Sequence, residues 1–581
     1  MLKKFIFIAL IHCSLSFPTP SEEYMREFVL KEPDIYKVYW KYDDNTITFE
    51  IHAKTKGWIG FGVSPNGGMP GSDIVMFWKG TDNKITFEDR HAVDKIEPIK
   101  DEKQDWHLDS LKEEGEFTIA KFNRKLNTCD DKDLEIKKGT NRLIWAFNPL
   151  KPIDRPIYHG TEMRGTASVA LLAEGPPNNA GDIIKDSFPI DITHTPYRIP
   201  NNTDTVYRCE IFKLTHPPGK HHVVVVDPLI NQDHKTLVHH IIIYGCAGNL
   251  SSEVGTTWNC YESKSSALSS CNTIMFAWAI GGGPWFFPEE IGFPLGGPND
   301  PMYVRMETHY DNPALKDGII DTSGLRLWTT NKLRKYDAGI IEAGHVLSRD
   351  LHVIPPKAKP FVSIGHCYNE CLRQSLERKN VKEIKVFAVG LHAHLKGYQI
   401  KLRHFRDGVE LEPIAFEEFY DFNFQEYQKL EVERVVKATD RLQVECSYNT
   451  ENEKNATYGG FTTREEMCYA FTQYYPRIDL SRCQSLPNPE VLGEILDPPS
   501  HHVDWSPAKV AKYQELVKTR NVRVRCLGSG ESYPIHGEMI NFPPPTKEYE
   551  REDVCLSKGN QNEYTKVAIL LCIATLMNMF I

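Results

Sequence analysis

The chain has no basic stripe. Its 68 Lys and Arg are outnumbered by 78 Asp and Glu, and the net charge of −10 is spread along 581 residues. A nucleic-acid binder needs clustered cations to displace counter-ions from phosphates, so that class is excluded. A full-length membrane span is also lacking. A span takes about 20 apolar residues, and the two apolar runs, Phe5 to Leu15 and Val567 to Ile581, are both shorter. The first follows Met1-Leu2-Lys3-Lys4 and precedes Ser16, the order of a secretory signal peptide. Residues 1–16 are therefore expected to be a leader, with the mature chain starting between Phe17 and Ser21. The second run lies in 562–581, after Lys566. A type I anchor and a GPI signal both fit it, and either implies a membrane-attached product facing the lumen or exterior.

Cysteine, by contrast, is plentiful. Of 14, Cys13 lies in the leader and Cys572 in the tail, which leaves twelve. An even set in a secreted chain predicts six disulfides. The spacing Cys367-xxx-Cys371 also fits a zinc site, a reading that the secretory route disfavours. Sequons at Asn201, Asn249 and Asn455 are candidate glycosylation sites and agree with that route.

At this length two to four domains are expected, and short β-branched runs punctuated by Gly and Pro predict a mostly β chain. In residues 34–150, Thr46 to His52 alternates with period two, and "GWIGFGVS" and "GSDIVMFW" follow as further strands, the pattern of a β-sandwich. This segment resembles the DOMON domain, a type implicated in binding haem, sugars or metal ions, or in packing against a partner. No axial-ligand pair stands out; His52 and His91 read as surface residues, and a scaffolding role is expected. A linker at 172–188 leads to a second unit at 190–330 and a third at 331–550.

Four histidine features lie in these later units. His392 and His394 flank Ala393 after an apolar strand, and residues i and i+2 of a strand share a face, so both rings can reach one metal ion. A surface strand with two polar positions would show the same pattern. His239-His240 and His221-His222 are adjacent pairs; neighbours on a strand face apart, so a pair shares a metal only at a strand end, twist or bulge. His309 ends an alternating run. Met467, beside Cys468, is either core filler or a thioether ligand.

Taken in order, "KHHVVVVDPLI", "VHHIIIYGC", "FAWAIGGGPWFFPEEIGFPLGG", "VRMETHYDNP", "LHAHLKGYQI" and "YGGFTTREEMCYAFTQYYP" resemble the copper type II ascorbate-dependent monooxygenases, in the dopamine β-monooxygenase-like branch. The resemblance implies a DOMON β-sandwich followed by two copper-binding β-sandwich domains. It implies two coppers per chain, one held by His239, His240 and His309, the other by His392, His394 and Met467, with His221-His222 in neither set. It implies C–H hydroxylation of a small substrate, an amine among the options, with O2 and with ascorbate as electron donor. Tyr207 and His392 match positions assigned catalytic roles; a core tyrosine is the alternative for Tyr207, and Glu289 and Glu290 are weaker candidates for an amine contact. The implied disulfides are Cys129–Cys555, Cys209–Cys260, Cys246–Cys271, Cys367–Cys483, Cys371–Cys526 and Cys446–Cys468. A non-enzymatic surface protein on the same fold and a zinc hydrolase are the competing readings; zinc would not favour Met467.

Overall fold

The computed structural model describes residues 17–153, 155–261, 270–495, 504–528, 532–553 and 555. The expected leader and the apolar tail lie outside them. Among the described residues no helix is long and apolar enough to cross a membrane. The chain divides into two compact units, 1–175 and 176–581.

The first unit is a sandwich of two sheets. One runs Arg26–Lys31, Tyr36–Tyr42, Thr46–Ala53, Phe117–Lys125, His107–Glu114; the other runs Arg164–Val169, Asn141–Asn148, Trp58–Ser64, Ser72–Lys79, Ile85–Ala92, Ile99–Lys100. The period-two pattern turns Ile47, Phe49 and Ile51 into a core shared with Phe61, Trp106 and Phe122. Gly62 is required where the strands close up, since a Cβ there would stand 2.3 Å from the Asp73 carbonyl. His52 is not at the surface. It is fully buried, with Nε2 2.7 Å from the Glu50 carboxylate and its ring against Tyr39. The alternation of its strand placed it outward, but this face is covered as well. His91 is half-buried and bonded to Asp101.

The second unit holds two sandwiches. In the first, a sheet of Phe188–Thr193, Gly324–Thr330, His221–Leu229, Ile291–Leu295 and Tyr336–Asp337 accompanies one of Thr257–Asn259, Thr205–Lys213, Tyr303–Asp311, Val238–Cys246 and Cys271–Ala279. In the second, seven strands from Gln428–Lys437 through Glu383–His392, Tyr469–Tyr475 and Gly339–His345 to Met539–Ile540 accompany four centred on Arg441–Tyr448 and Gly397–Arg406. Phe387, Ala388 and Tyr475 of the second sandwich join the core of the first, so the two halves pack as one body.

Five disulfides link Cys209–Cys260, Cys246–Cys271, Cys367–Cys483, Cys371–Cys526 and Cys446–Cys468. Cys129 and Cys555 are each disulfide-bonded too. Cys367 and Cys371 are thus committed to separate bridges, which rules out the zinc reading. Asn201, Asn249 and Asn455 are all exposed.

Candidate metal centre

A bulge brings three histidines of the first sandwich together. His309, in Tyr303–Asp311, pairs with Tyr207 on one side and His240 on the other. Between Val238 and His240 the register shifts, so His239 is the extra residue. A bulge re-aims a side chain that a regular strand would turn away. One nitrogen from each of His239, His240 and His309 lies within 4.8 Å of the others. The Nδ1 atoms of His239 and His240 are 3.3 Å apart. Two imidazole nitrogens sharing a first-row ion at about 2.0–2.1 Å stand about 3.3–3.6 Å apart at near-tetrahedral angles.

The outer nitrogens of His239 and His309 are occupied. His239 Nε2 donates to the Phe422 carbonyl at 2.9 Å, and its ring stacks on Phe422. His309 Nε2 meets Thr205 Oγ1 at 2.8 Å, while its Nδ1 is buried with no partner. Burial holds all three rings neutral, His239 down to about 3 and His240 and His309 well below the usual imidazole range. Three neutral imidazoles converging on one point, with the Nδ1 atoms of His239 and His240 facing each other and that of His309 unpartnered, form a donor set for a borderline metal ion.

The second set uses the opposite nitrogens. His392 ends the strand Glu383–His392, and His394 lies just beyond it. His392 Nδ1 donates to Gln425 Oε1 at 2.6 Å, and His394 Nδ1 donates to the Glu465 carbonyl at 2.9 Å. His394 Nε2 is buried and has no partner. The rings are 5.3 Å apart, both buried, and burial again depresses both, His392 to about 4. Met467 is 7 % exposed. Its neighbour Glu466 is fully buried and accepts from three backbone N–H groups, those of His394 at 2.8 Å, Lys396 at 2.6 Å and Met467 at 3.3 Å. One carboxylate therefore ties the histidine segment to the methionine turn. Met467 and His392 line the same cavity, and a thioether combined with two neutral imidazoles is a donor set that suits reduced copper.

Both sets border one cavity of about 350 Å³, lined by His240, His392, Met467, Gln425 and Tyr207 among others. The His240 and His392 rings are 5.8 Å apart, so the two sets are neighbours. Tyr207 is buried, stacked on His309 at 4.3 Å, and its hydroxyl donates to the Phe461 carbonyl at 2.5 Å. Burial raises it far above the ordinary phenol range, so it stays protonated.

The other candidates lie elsewhere. His221 Nδ1 donates to the Gly219 carbonyl, and His222 is held between Asp337 and the Arg334 N–H, away from both sets. Glu289 and Glu290 are exposed, Glu290 pairs with Lys335, and neither lines the cavity. Sequence reasoning missed Thr205, Phe422, Gln425 and Glu466. Only Glu466, in the Glu-Glu-Met run, carried a visible signal.

Comparison with known proteins follows the same outline. The chain matches the model for the DOMON domain at residues 32–148. It matches that for the copper type II ascorbate-dependent monooxygenase, N-terminal domain, at 190–317, and that for the C-terminal domain at 336–496. It is 42% identical over 587 residues to "DBH-like monooxygenase protein 1" of Homo sapiens, covering 95% of this chain and 94% of that one. The Gallus gallus protein of that name is 38% identical, covering 93% and 92%. "Dopamine beta-hydroxylase" of Homo sapiens is 31% identical, covering 83% and 78%.

Proposed function

Because the chain belongs to the copper type II ascorbate-dependent monooxygenase family, we propose that it is an active enzyme that hydroxylates a C–H bond of a small molecule. The observation that carries this reading is the pair of buried, neutral donor sets on one cavity, in which His239, His309, His392 and His394 each have one nitrogen hydrogen-bonded outward, and His309 Nδ1 and His394 Nε2 are left over. His239, His240 and His309 would hold one copper, and His392, His394 and Met467 the other. Copper there supplies one-electron steps and activation of oxygen. The overall balance takes one O2, two protons and two electrons from ascorbate; one oxygen atom enters the C–H bond and the other leaves as water.

The chain's own groups set the conditions. Phe422 and Thr205 orient the first set, and Gln425 and the Glu465 carbonyl orient the second. Burial excludes water and keeps every imidazole a base. Tyr207, with its proton held by the Phe461 carbonyl, packs the His309 ring in place; its role in this reading is to position His309. The bridged cysteines and exposed sequons support passage through the secretory pathway, and the apolar tail at 562–581 would attach the product to a membrane.

Elemental analysis of purified protein tests the reading. About two coppers per chain are expected, with ascorbate-dependent oxygen uptake once a hydroxylatable substrate is present. A single zinc, or copper without any oxygen uptake across a substrate panel, would refute it.

A further inference from the structure

We infer that one wall of this cavity is a subsite for a small organic anion, centred on Arg525. The inference rests on reading the cavity as the reaction chamber. Four strands build the wall. Tyr303–Asp311 supplies Arg305 and Glu307, on the same face as His309; Gly339–His345 supplies Glu342; Arg482–Pro487 supplies Arg482 and Gln484; Val522–Leu527 supplies Arg525.

The two carboxylates are already engaged. Glu307 accepts from the Tyr261 hydroxyl at 2.8 Å and lies 3.6 Å from Arg305. Glu342 accepts from Gln484 Nε2 at 2.5 Å and lies 3.4 Å from Arg482. Each carboxylate thus has one guanidinium as its nearest cation, and Glu342 also acts on Arg525 from farther off. The third guanidinium, Arg525, has neither an ion pair nor a hydrogen bond among the described residues, and Arg482 beside it adds like charge. Burial, then that neighbour, pulls Arg525 below its ordinary range. Glu342 offsets this only in part, from beyond ion-pair distance; a partly buried cation without a direct partner is costly, and an anion relieves the cost. Glu426 also lines the cavity, on the side of Gln425.

The remaining walls define the rest of the ligand. Trp278, Trp285, Tyr427, Phe461 and Phe471 make them aromatic, and the volume of about 350 Å³ fits a single-ring molecule. The complement is an apolar ring carrying one acid group. Ascorbate, itself a monoanion at neutral pH, shares the charge. A cationic amine is the wrong sign for this wall.

Anaerobic calorimetry of the reduced, copper-loaded full chain tests the subsite without turnover. The probes are 3-phenylpropionate, its amine counterpart 3-phenylpropylamine, and ascorbate. At least one anion is expected to bind about tenfold or more tighter than the amine. Arg525→Met should weaken that anion about tenfold, while Arg525→Lys keeps most of its affinity. Phenylpropionate responding to Arg525 marks a substrate subsite, and ascorbate responding marks a reductant subsite; either supports the proposal. It is overturned if the amine binds as tightly as both anions, or if neither anion responds to a folded Arg525→Met chain. The wild-type comparison of acid with amine decides the matter even if that variant does not fold. Copper content and oxygen uptake are read separately, so failure of the subsite and failure of the enzymatic reading give different results.

Discussion

Replacing Met467 by leucine separates its two possible roles. The backbone around it is held without help from its side chain. The Met467 carbonyl accepts from the Tyr448 hydroxyl at 2.6 Å, its N–H reaches the Glu466 carboxylate, and the next residue, Cys468, is bridged to Cys446. Leucine has nearly the same volume, so as core filler the change costs less than about 1.5 kcal/mol. At about 2–4 °C per kcal/mol, that lowers Tm by roughly 6 °C at most. As a ligand the thioether is one donor of three. Losing an outer partner of a metal ligand already costs about 10–100-fold in affinity, so losing the donor itself costs at least that much. The three-histidine set does not depend on Met467 and should keep its copper. X-ray absorption of the reduced protein should lose its sulfur scatterer, and ascorbate-dependent oxygen uptake should collapse. A folded Met467→Leu protein that keeps two coppers and turns over near the normal rate would refute the ligand role.

Two further outcomes test the supporting structure. Glu466→Ala strips an acceptor from three backbone N–H groups, of which the two buried ones, those of His394 and Met467, are each worth about 1–3 kcal/mol when left unmade. It should lower Tm sharply and abolish the sulfur signal, while Glu466→Gln, which keeps one acceptor oxygen, restores part of both; unchanged melting and sulfur scattering in the alanine variant would remove Glu466 from the site's support. His352 is buried with its Nε2 on Ser363, and burial lowers it from 6.5 to about 4. Its neutral form is the one the fold accepts, so its stability contribution is complete above pH 6.5 and is lost as pH falls through about 4. The shift corresponds to about 3 kcal/mol. Denaturant unfolding between pH 7 and pH 4 should show this loss, and His352→Leu should flatten the slope; an identical slope in the variant would contradict it.

How much of this was legible beforehand depended on where the information resides. Period-two alternation in Thr46 to His52 and the glycine-aromatic runs made the first sandwich readable, because a sheet with a buried face writes its pattern into the chain. The same rule failed for His52, whose strand is covered on both faces. For His239-His240 the sequence left a choice between strand end, twist and bulge, and only the pairing with Tyr303–Asp311 shows the extra residue. The partners of the histidines were less accessible still. The Phe422 and Glu465 groups that hold them are backbone carbonyls, which every residue possesses. Gln425 lies 33 positions from His392 in a segment with no motif. Arg305, Arg482 and Arg525 come from three separate strands, and their excess charge exists only once those strands form one wall.

The two donor sets also constrain each other, through a single carbonyl. Phe422 O accepts from His239 Nε2 at 2.9 Å and from Gln425 Nε2 at 2.7 Å. With its amide nitrogen committed there, Gln425 has only its oxygen left for His392, 2.6 Å away. An oxygen acceptor forces the proton onto His392 Nδ1 and frees Nε2. At His239 the same carbonyl forces the proton onto Nε2 and frees Nδ1. One peptide group therefore dictates opposite tautomers in the two sets, and does so through hydrogen bonds that need no metal. Both histidines are oriented in advance, and the ordering cost is met in folding instead of at metal binding. The arrangement also ties the halves of the second unit together at the site itself. His239 belongs to the first sandwich, whereas Phe422, Gln425 and His392 belong to the second, so a displacement of one sandwich against the other would release His239 from its anchor before it disturbed His392.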